Sequence, residues 1–204
     1  MLETAGLILI FAFAVIIHEV AHGLAAEKLG DPTARNLGRI TLNPIPHIDL
    51  TMSIILPALL ILSGSPFLIG GAKPVPVNWY NFARPRQDMA LVALAGPVSN
   101  FIQAVFFWLL LLIVPKSEFL ISLLTKGIIV NVLLGTFNML PILPLDGGRI
   151  VLGLLPSNLA IHFAKLERFG LMLVILFVVF GGFSKIFSPL FKFLIQLIEL
   201  SISS

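Results

Sequence analysis

Between Leu7 and Ala26 the chain is long and apolar enough to cross a bilayer as one helix, yet it carries His18, Glu19 and His22 within about a turn and a half. An ionised side chain at the centre of an inserting helix costs roughly 2.5–3.5 kcal/mol, so such groups rarely sit there without partners. A fold built on this segment must be embedded in a membrane and must satisfy these groups internally. The composition agrees: 58% of residues are hydrophobic, only 11% are charged, and the mean hydropathy is +1.05. There is no cysteine, so a disulfide framework and thiolate metal ligands are excluded, and any metal must be held by His, Asp or Glu. The net charge of +3 comes from single, scattered Lys and Arg residues without aromatic interleaving. They read as topology signals at a membrane surface and not as a nucleic-acid footprint. The first apolar run has no basic leader and ends in the His-Glu-His cluster, not in a small-residue cleavage site, so it reads as a retained helix.

Gly30-Asp31-Pro32 ends this helix, and a polar connector with Arg35 and Arg39 follows. The next apolar run, from Thr51 to Gly70, is broken by Pro57, Gly64 and Pro66 and flanked on both sides by basic residues: Lys28, Arg35 and Arg39 before it, Lys73, Arg84 and Arg86 after it. One crossing cannot put both flanks in the cytoplasm, so this run is predicted to enter the membrane and return. Irregular backbone at that depth is tolerated only beside protein or a water-filled cavity, which points to a site nearby. Met89 to Val114 and Phe119 to about Leu140 are predicted to go out and back around the short loop "PKSE". An amphipathic stretch, a short apolar helix and a tail with Lys192, Gln196 and Glu199 complete the chain. The expectation is an all-α polytopic membrane protein with about five to six membrane segments, one of them re-entrant or broken, and a small membrane-associated β-hairpin. It forms a single domain over residues 1–204, with the core at about 5–150 and C-terminal helices at about 151–204.

His18 and His22 are four residues apart, so both imidazoles share one helical face within reach of a single metal ion. Glu19 lies beside the first. This H-E-x-x-H pattern holds zinc with its histidines and supplies a general base with its glutamate. A catalytic zinc takes three protein ligands and keeps a fourth position open. The candidates for the third are Glu27, Asp31, His47, Asp49, Asp146 and His162. Glu27 and Asp31 follow too closely on the same helix end, whereas Asp146 follows the last core helix on the side toward which His18 and His22 lie.

Four ordered motifs carry a resemblance: "HEVAH", "GAKPVPVN", "AGPVSN" and "FNMLPILPLDGGR". Together they resemble the site-2 proteases, intramembrane zinc metalloproteases. The connector "GRITLNPIPHID" is similar to the short prokaryotic members, which lack PDZ and CBS domains. The resemblance implies that Asp146 completes a one-zinc site with His18 and His22. It also implies a catalytic centre inside a prokaryotic cell membrane, reached by water from the cytoplasmic side, with transmembrane proteins as substrates. The function expected is hydrolysis of peptide bonds within or near transmembrane segments, as in regulated intramembrane proteolysis. The alternative is a non-enzymatic membrane protein with a structural or transported metal, but no internal repeat marks a transporter and a structural site has no need of Glu19.

In the expected hydrolysis Glu19 takes a proton from the attacking water and returns it to the leaving amine. Asn138 and Asn100, near the cytoplasmic ends of the core helices, are candidates to support the oxyanion. For Asn100 an interhelical hydrogen bond is an equal alternative. Pro74 and Pro76 share one parity, so Val75, Val77 and Asn78 form an edge that can pair with an unwound substrate strand. His47 and His162 are expected in surface roles.

Overall fold

The structure is a computed structural model that describes residues 1–63, 70–115 and 117–203. The α-helices are α1 (Leu2–Lys28), α2 (Thr33–Asn36), α3 (Leu56–Leu62), α4 (Pro85–Ile113), α5 (Glu118–Asn138), α6 (Asp146–Leu154), α7 (Ser157–Ala164), α8 (Gly170–Val179) and α9 (Gly182–Ser203). Among the described residues three helices, α1, α4 and α5, are long and apolar enough to cross a membrane. A fourth span arises if the stretch from α7 to α9, bent by 62°, counts as one. The all-helical, membrane-embedded character is as expected, but the count is lower than five to six. The last hydrophobic run is split at the Gly181–Gly182 corner into α8, ten residues long, and α9. Ten residues reach only about 15 Å, half the hydrocarbon thickness.

Among its described residues the run from Thr51 to Gly70 also contains no helix long enough to cross. Its described part is a π-turn at Leu50–Ile55 and the seven-residue α3. Gly71 N donates to Met52 O at 3.1 Å, and Ser53 Oγ to Gly71 O at 2.7 Å, so the two ends of the run meet. Gly64 and Pro66, part of the predicted break, and Lys116 of the short loop lie outside the described residues.

The expected β-hairpin is not seen among the described residues. Lys73 to Asn78 is extended but unladdered, because its donors go elsewhere: Lys73 N to His47 O, Val75 N to a Glu19 carboxylate oxygen, and Asn78 N to Asp31 Oδ2. Asp31 is fully buried and also accepts from Thr33 N and from Asn81 Nδ2. It thereby ties the end of α1 to the segment leading into α4.

Between lipid-facing helices hydrophobicity gives little net drive, and van der Waals packing and polar bonds hold the bundle. One apolar core lies between α4, α5 and α9, where Ala104, Leu111, Leu124, Ile128, Val132, Leu194 and Ile198 are buried. Trp108 Nε1–H donates to Ser201 Oγ at 3.0 Å across the same seam. The outer faces expose Ile8, Phe11, Ile102, Phe106 and Ile113, an apolar surface suited to lipid. Pro85 opens α4 where its missing N–H costs nothing, and Asp88 caps that end by accepting from Arg84 N.

Candidate metal centre and catalytic cavity

His18 lies roughly 24 Å along α1 from Leu2 and roughly 15 Å before Lys28, inside the span and nearer its basic end. One turn on, His22 brings its Nε2 to 3.0 Å from His18 Nε2. Asp146 enters from the first turn of α6, with Oδ2 at 3.1 Å from His18 Nε2 and 3.4 Å from His22 Nε2. Among the described residues this is the one cluster of three or more potential metal ligands.

The second nitrogen of each ring is committed. His18 Nδ1–H donates to Asn100 Oδ1 at 2.7 Å, and His22 Nδ1–H donates to the Val92 carbonyl at 2.7 Å. With Nδ1 protonated in both, the two neutral rings present bare Nε2 lone pairs, and between them stands a carboxylate oxygen. Asp146 Oδ2 accordingly has no hydrogen-bond donor although it is buried. Three proton-free acceptors so close together repel unless a cation lies among them. Their separations of 3.0 to 3.4 Å match the edge of about 3.3 Å expected between ligands of a tetrahedral zinc with bonds near 2.0 Å. The donor set therefore fits zinc, with Asn100 and the Val92 carbonyl as outer partners that fix the imidazoles.

Local sequence explains this convergence. Pro97 has no N–H for the Ala93 carbonyl and crowds that turn of α4, and the neighbouring Val92 carbonyl is available to His22. A Cβ on Gly96 would lie 2.4 Å from His22 Nε2 and 2.6 Å from His18 Cε1, so only glycine lets α4 close on the two rings. A Cβ on Gly147 would lie 2.2 Å from Met139 O, so "DGG" lets α6 begin against the end of α5 and aims Asp146 back into the bundle.

The cluster opens into a cavity of about 230 Å³. Its polar wall is His18, Glu19, His22, Asn138, Asp146 and Arg149, and its apolar wall includes Pro74, Val75, Val77, Met89 and Leu145. Glu19 faces this space with Oε2 accepting Val75 N–H at 2.7 Å, which fixes the carboxylate, while among the described residues Oε1 has no such tether. Asn138 lines the cavity, its Nδ2 donating to Leu134 O. Asn100 does not: it is fully buried behind His18, and both ends of its amide are engaged. Val75 and Val77 lie along the wall, with the Val75 donor directed to Glu19, and Asn78 is held by Asp31.

The other ligand candidates are employed elsewhere. Glu27 pairs with Arg35, Asp49 accepts from Met52 N at 2.8 Å, and His162 is exposed. His47 is outside the cluster but, against expectation, buried, with Nε2–H donating to Thr41 O at 2.9 Å. Sequence reasoning passed over two residues. Arg149 is one helical turn past Asp146, a spacing that could have flagged it. Asn131 is a fully buried amide in α5 bonded to Asn100, and its signal was a lone amide in an apolar run.

A family model described as "Peptidase family M50" matches residues 114–181. The "Putative zinc metalloprotease YwhC" of Bacillus subtilis (strain 168) is 37% identical over 182 residues, covering 84% of this chain and 80% of the relative. Two proteins with the same style of name are also similar. MJ0611 of Methanocaldococcus jannaschii is 34% identical, over 67% of this chain and 63% of its own length. Rip2 of Mycolicibacterium smegmatis is 32% identical, over 45% of this chain and 34% of its own length. No solved structure matches the chain significantly.

Proposed function

This chain belongs to peptidase family M50, and we propose that it is an intramembrane zinc metalloendopeptidase that hydrolyses peptide bonds within or near transmembrane segments of other membrane proteins. The observation that carries this reading is the meeting of three proton-free ligand atoms, His18 Nε2, His22 Nε2 and Asp146 Oδ2, beside the carboxylate of Glu19 within a membrane-length helix. His18, His22 and Asp146 would hold one zinc ion per chain, which would supply Lewis-acid chemistry for the scissile carbonyl and for water near neutral pH.

The chain's own residues do the rest. Glu19 accepts the proton of the attacking water at Oε1 and delivers it to the leaving nitrogen, while the Val75 N–H holds its other oxygen. Asn138 and Arg149 supply hydrogen-bond donors on the polar wall, where charge develops on the carbonyl oxygen. Asn100 supports the site from behind through His18. The substrate lies unwound along Pro74 to Val77, because a helical peptide bond has its carbonyl already engaged. Val75 spends its donor on Glu19, so pairing falls to the Val77 side of this segment and to backbone carbonyls. Lys28, Arg35, Arg39, Arg84 and Arg86 lie at the helix ends and connectors nearest the site, which supports a cytoplasmic-facing centre under the positive-inside rule.

The test compares membrane fragments from cells expressing the wild type or Glu19→Gln. Fragments cut within apolar segments should appear only with the wild type, while the variant retains one zinc per chain by metal analysis. Cleavage by Glu19→Gln at the wild-type rate would overturn the reading, and a protein that binds zinc but yields no fragments would favour a structural or transported metal.

A further inference from the structure

Asn131 is fully buried in α5, and the chemistry above makes no use of it. Its Nδ2 donates to the Gly127 carbonyl at 3.0 Å, and its Oδ1 accepts from Asn100 Nδ2 at 3.1 Å. Asn100 Nδ2 also donates to the Ala14 carbonyl at 3.1 Å, and Asn100 Oδ1 accepts from His18 Nδ1. The two ends of an amide look alike, and their assignment usually rests on the surrounding network. Here the network is decisive because a backbone carbonyl can only accept. Gly127 O fixes the orientation of Asn131, and Asn100 is held by two acceptors, Ala14 O and Asn131 Oδ1, one for each hydrogen of its Nδ2. Reversing either amide sets oxygen against oxygen. The two constraints agree, since the oxygen of Asn131 then meets the nitrogen of Asn100. The oxygen left on Asn100 obliges His18 Nδ1 to carry the proton.

We propose that Asn131 is a positioning residue for the metal centre: with Asn100 it forms a relay across α1, α4 and α5 that locks His18 as the Nδ1–H tautomer and keeps its Nε2 open toward His22 and Asp146. The proposal rests on the reading of those three residues as a zinc site and deepens it. Its effect is on the ligand and not on the substrate, so Asn131 touches no reacting atom. An Asn131 that only ties α4 to α5 would alter melting temperature and leave the tautomer and zinc affinity of the folded protein unchanged.

The test uses the full chain in detergent micelles. In metal-free wild type labelled with ¹⁵N-histidine, the His18 resonances, assigned by their loss in His18→Gln, should report a protonated Nδ1. A dominant Nε2–H tautomer overturns the relay, and this reading needs no Asn131 variant and no zinc. Asn131→Leu keeps volume but removes both ends of the amide. It leaves Ala14 O as the remaining acceptor orienting Asn100, so a share of the Nε2–H tautomer should appear and zinc binding, read by chelator competition, should weaken by up to about tenfold, the low end for outer partners of metal-bound imidazoles. Asn131→Asp, as a buried acid, still accepts from Asn100 and turns its proton to Gly127 O, so it should restore wild-type affinity and tautomer. A folded Asn131→Leu with wild-type affinity and tautomer overturns the proposal, as does an Asn131→Asp that folds yet behaves as the leucine variant should. Wild-type protein that binds no zinc while His18 is Nδ1–H would instead sink the enzymatic reading and leave the relay standing.

Discussion

The backbone N–H of Val75 donates to Glu19 Oε2 at 2.7 Å, so the carboxylate beside the metal ligands is held by a segment 56 residues away in sequence. Pro74 and Pro76 have no N–H to offer, which leaves Val75 as the donor at this point of the extended segment.

Val75→Pro removes this donor and should therefore free the Glu19 carboxylate. Loss of aim should cost at least tenfold of the roughly 10²–10⁴-fold that a general base supplies, with zinc content unchanged. Val75→Ala keeps the N–H and should retain most activity. Cleavage rates with metal analysis on the same preparations check both, and equal damage from the two substitutions would mean that side-chain contact, not the hydrogen bond, matters.

Asp146→Asn replaces the only anion of the ligand cluster by a neutral amide. Outer partners alone contribute roughly 10–100-fold to metal affinity, so loss of a direct ligand should exceed that, and cleavage should fall with it. In the wild type a chelator should abolish cleavage and added zinc should restore it. Zinc titration against a competing chelator reads the first effect, and a restored-activity assay the second. Undiminished affinity in Asp146→Asn would remove Asp146 from the site.

Gly96→Ala tests how α4 closes on the centre. The added Cβ would sit 2.4 Å from His22 Nε2 and 2.6 Å from His18 Cε1, so one ring or the helix must move. Such overpacking typically costs about 1–3 kcal/mol. The larger effect should be on zinc, because displaced rings cannot keep their nitrogens within 3.0 Å of each other. Zinc affinity should drop by at least the tenfold expected for a disturbed outer partner, and a fall in melting temperature with intact affinity would show that the helix yields instead.

The convergence of His18, His22 and Asp146 was readable in sequence. Helical spacing pairs the two histidines, and Asp146 was pointed to by the side to which α5 is expected to return together with the family resemblance. The matched basic flanks of the Thr51–Gly70 run predict a return, and Met52 and Gly71 at its two ends are joined by a hydrogen bond. Asn131 stood out only as an amide in an apolar run, and the weak periodicity of α5 does not show which neighbour it faces. The extended character of Pro74 to Asn78 followed from its alternating prolines, but its partners did not. Glu19 and Asp31 take the donors that a second strand would have taken, and only tertiary structure brings them there.

Asp31 provides a pH-dependent test of that tethering. Burial pushes its carboxyl up, but hydrogen bonds from Thr33, Asn81 and Asn78 outweigh this and hold it below the ordinary aspartate value. A group with a folded pKa below its unfolded value of about 3.9 stabilises the fold above that pH. This contribution is lost as the pH falls through the lower, folded value, where both states are protonated. Asp31→Asn turns an amide N–H toward one of the buried donors and should cost about 1–3 kcal/mol near neutrality. The gap between wild type and variant should be constant above about pH 5 and narrow as acid protonates the wild-type carboxylate. Melting temperatures from pH 3 to 8 read this directly. Because Asn78 N–H is one of the tethers, the variant should also lose cleavage at neutral pH while keeping its zinc, and a gap that widens in acid would show that Asp31 is not the anion holding the segment.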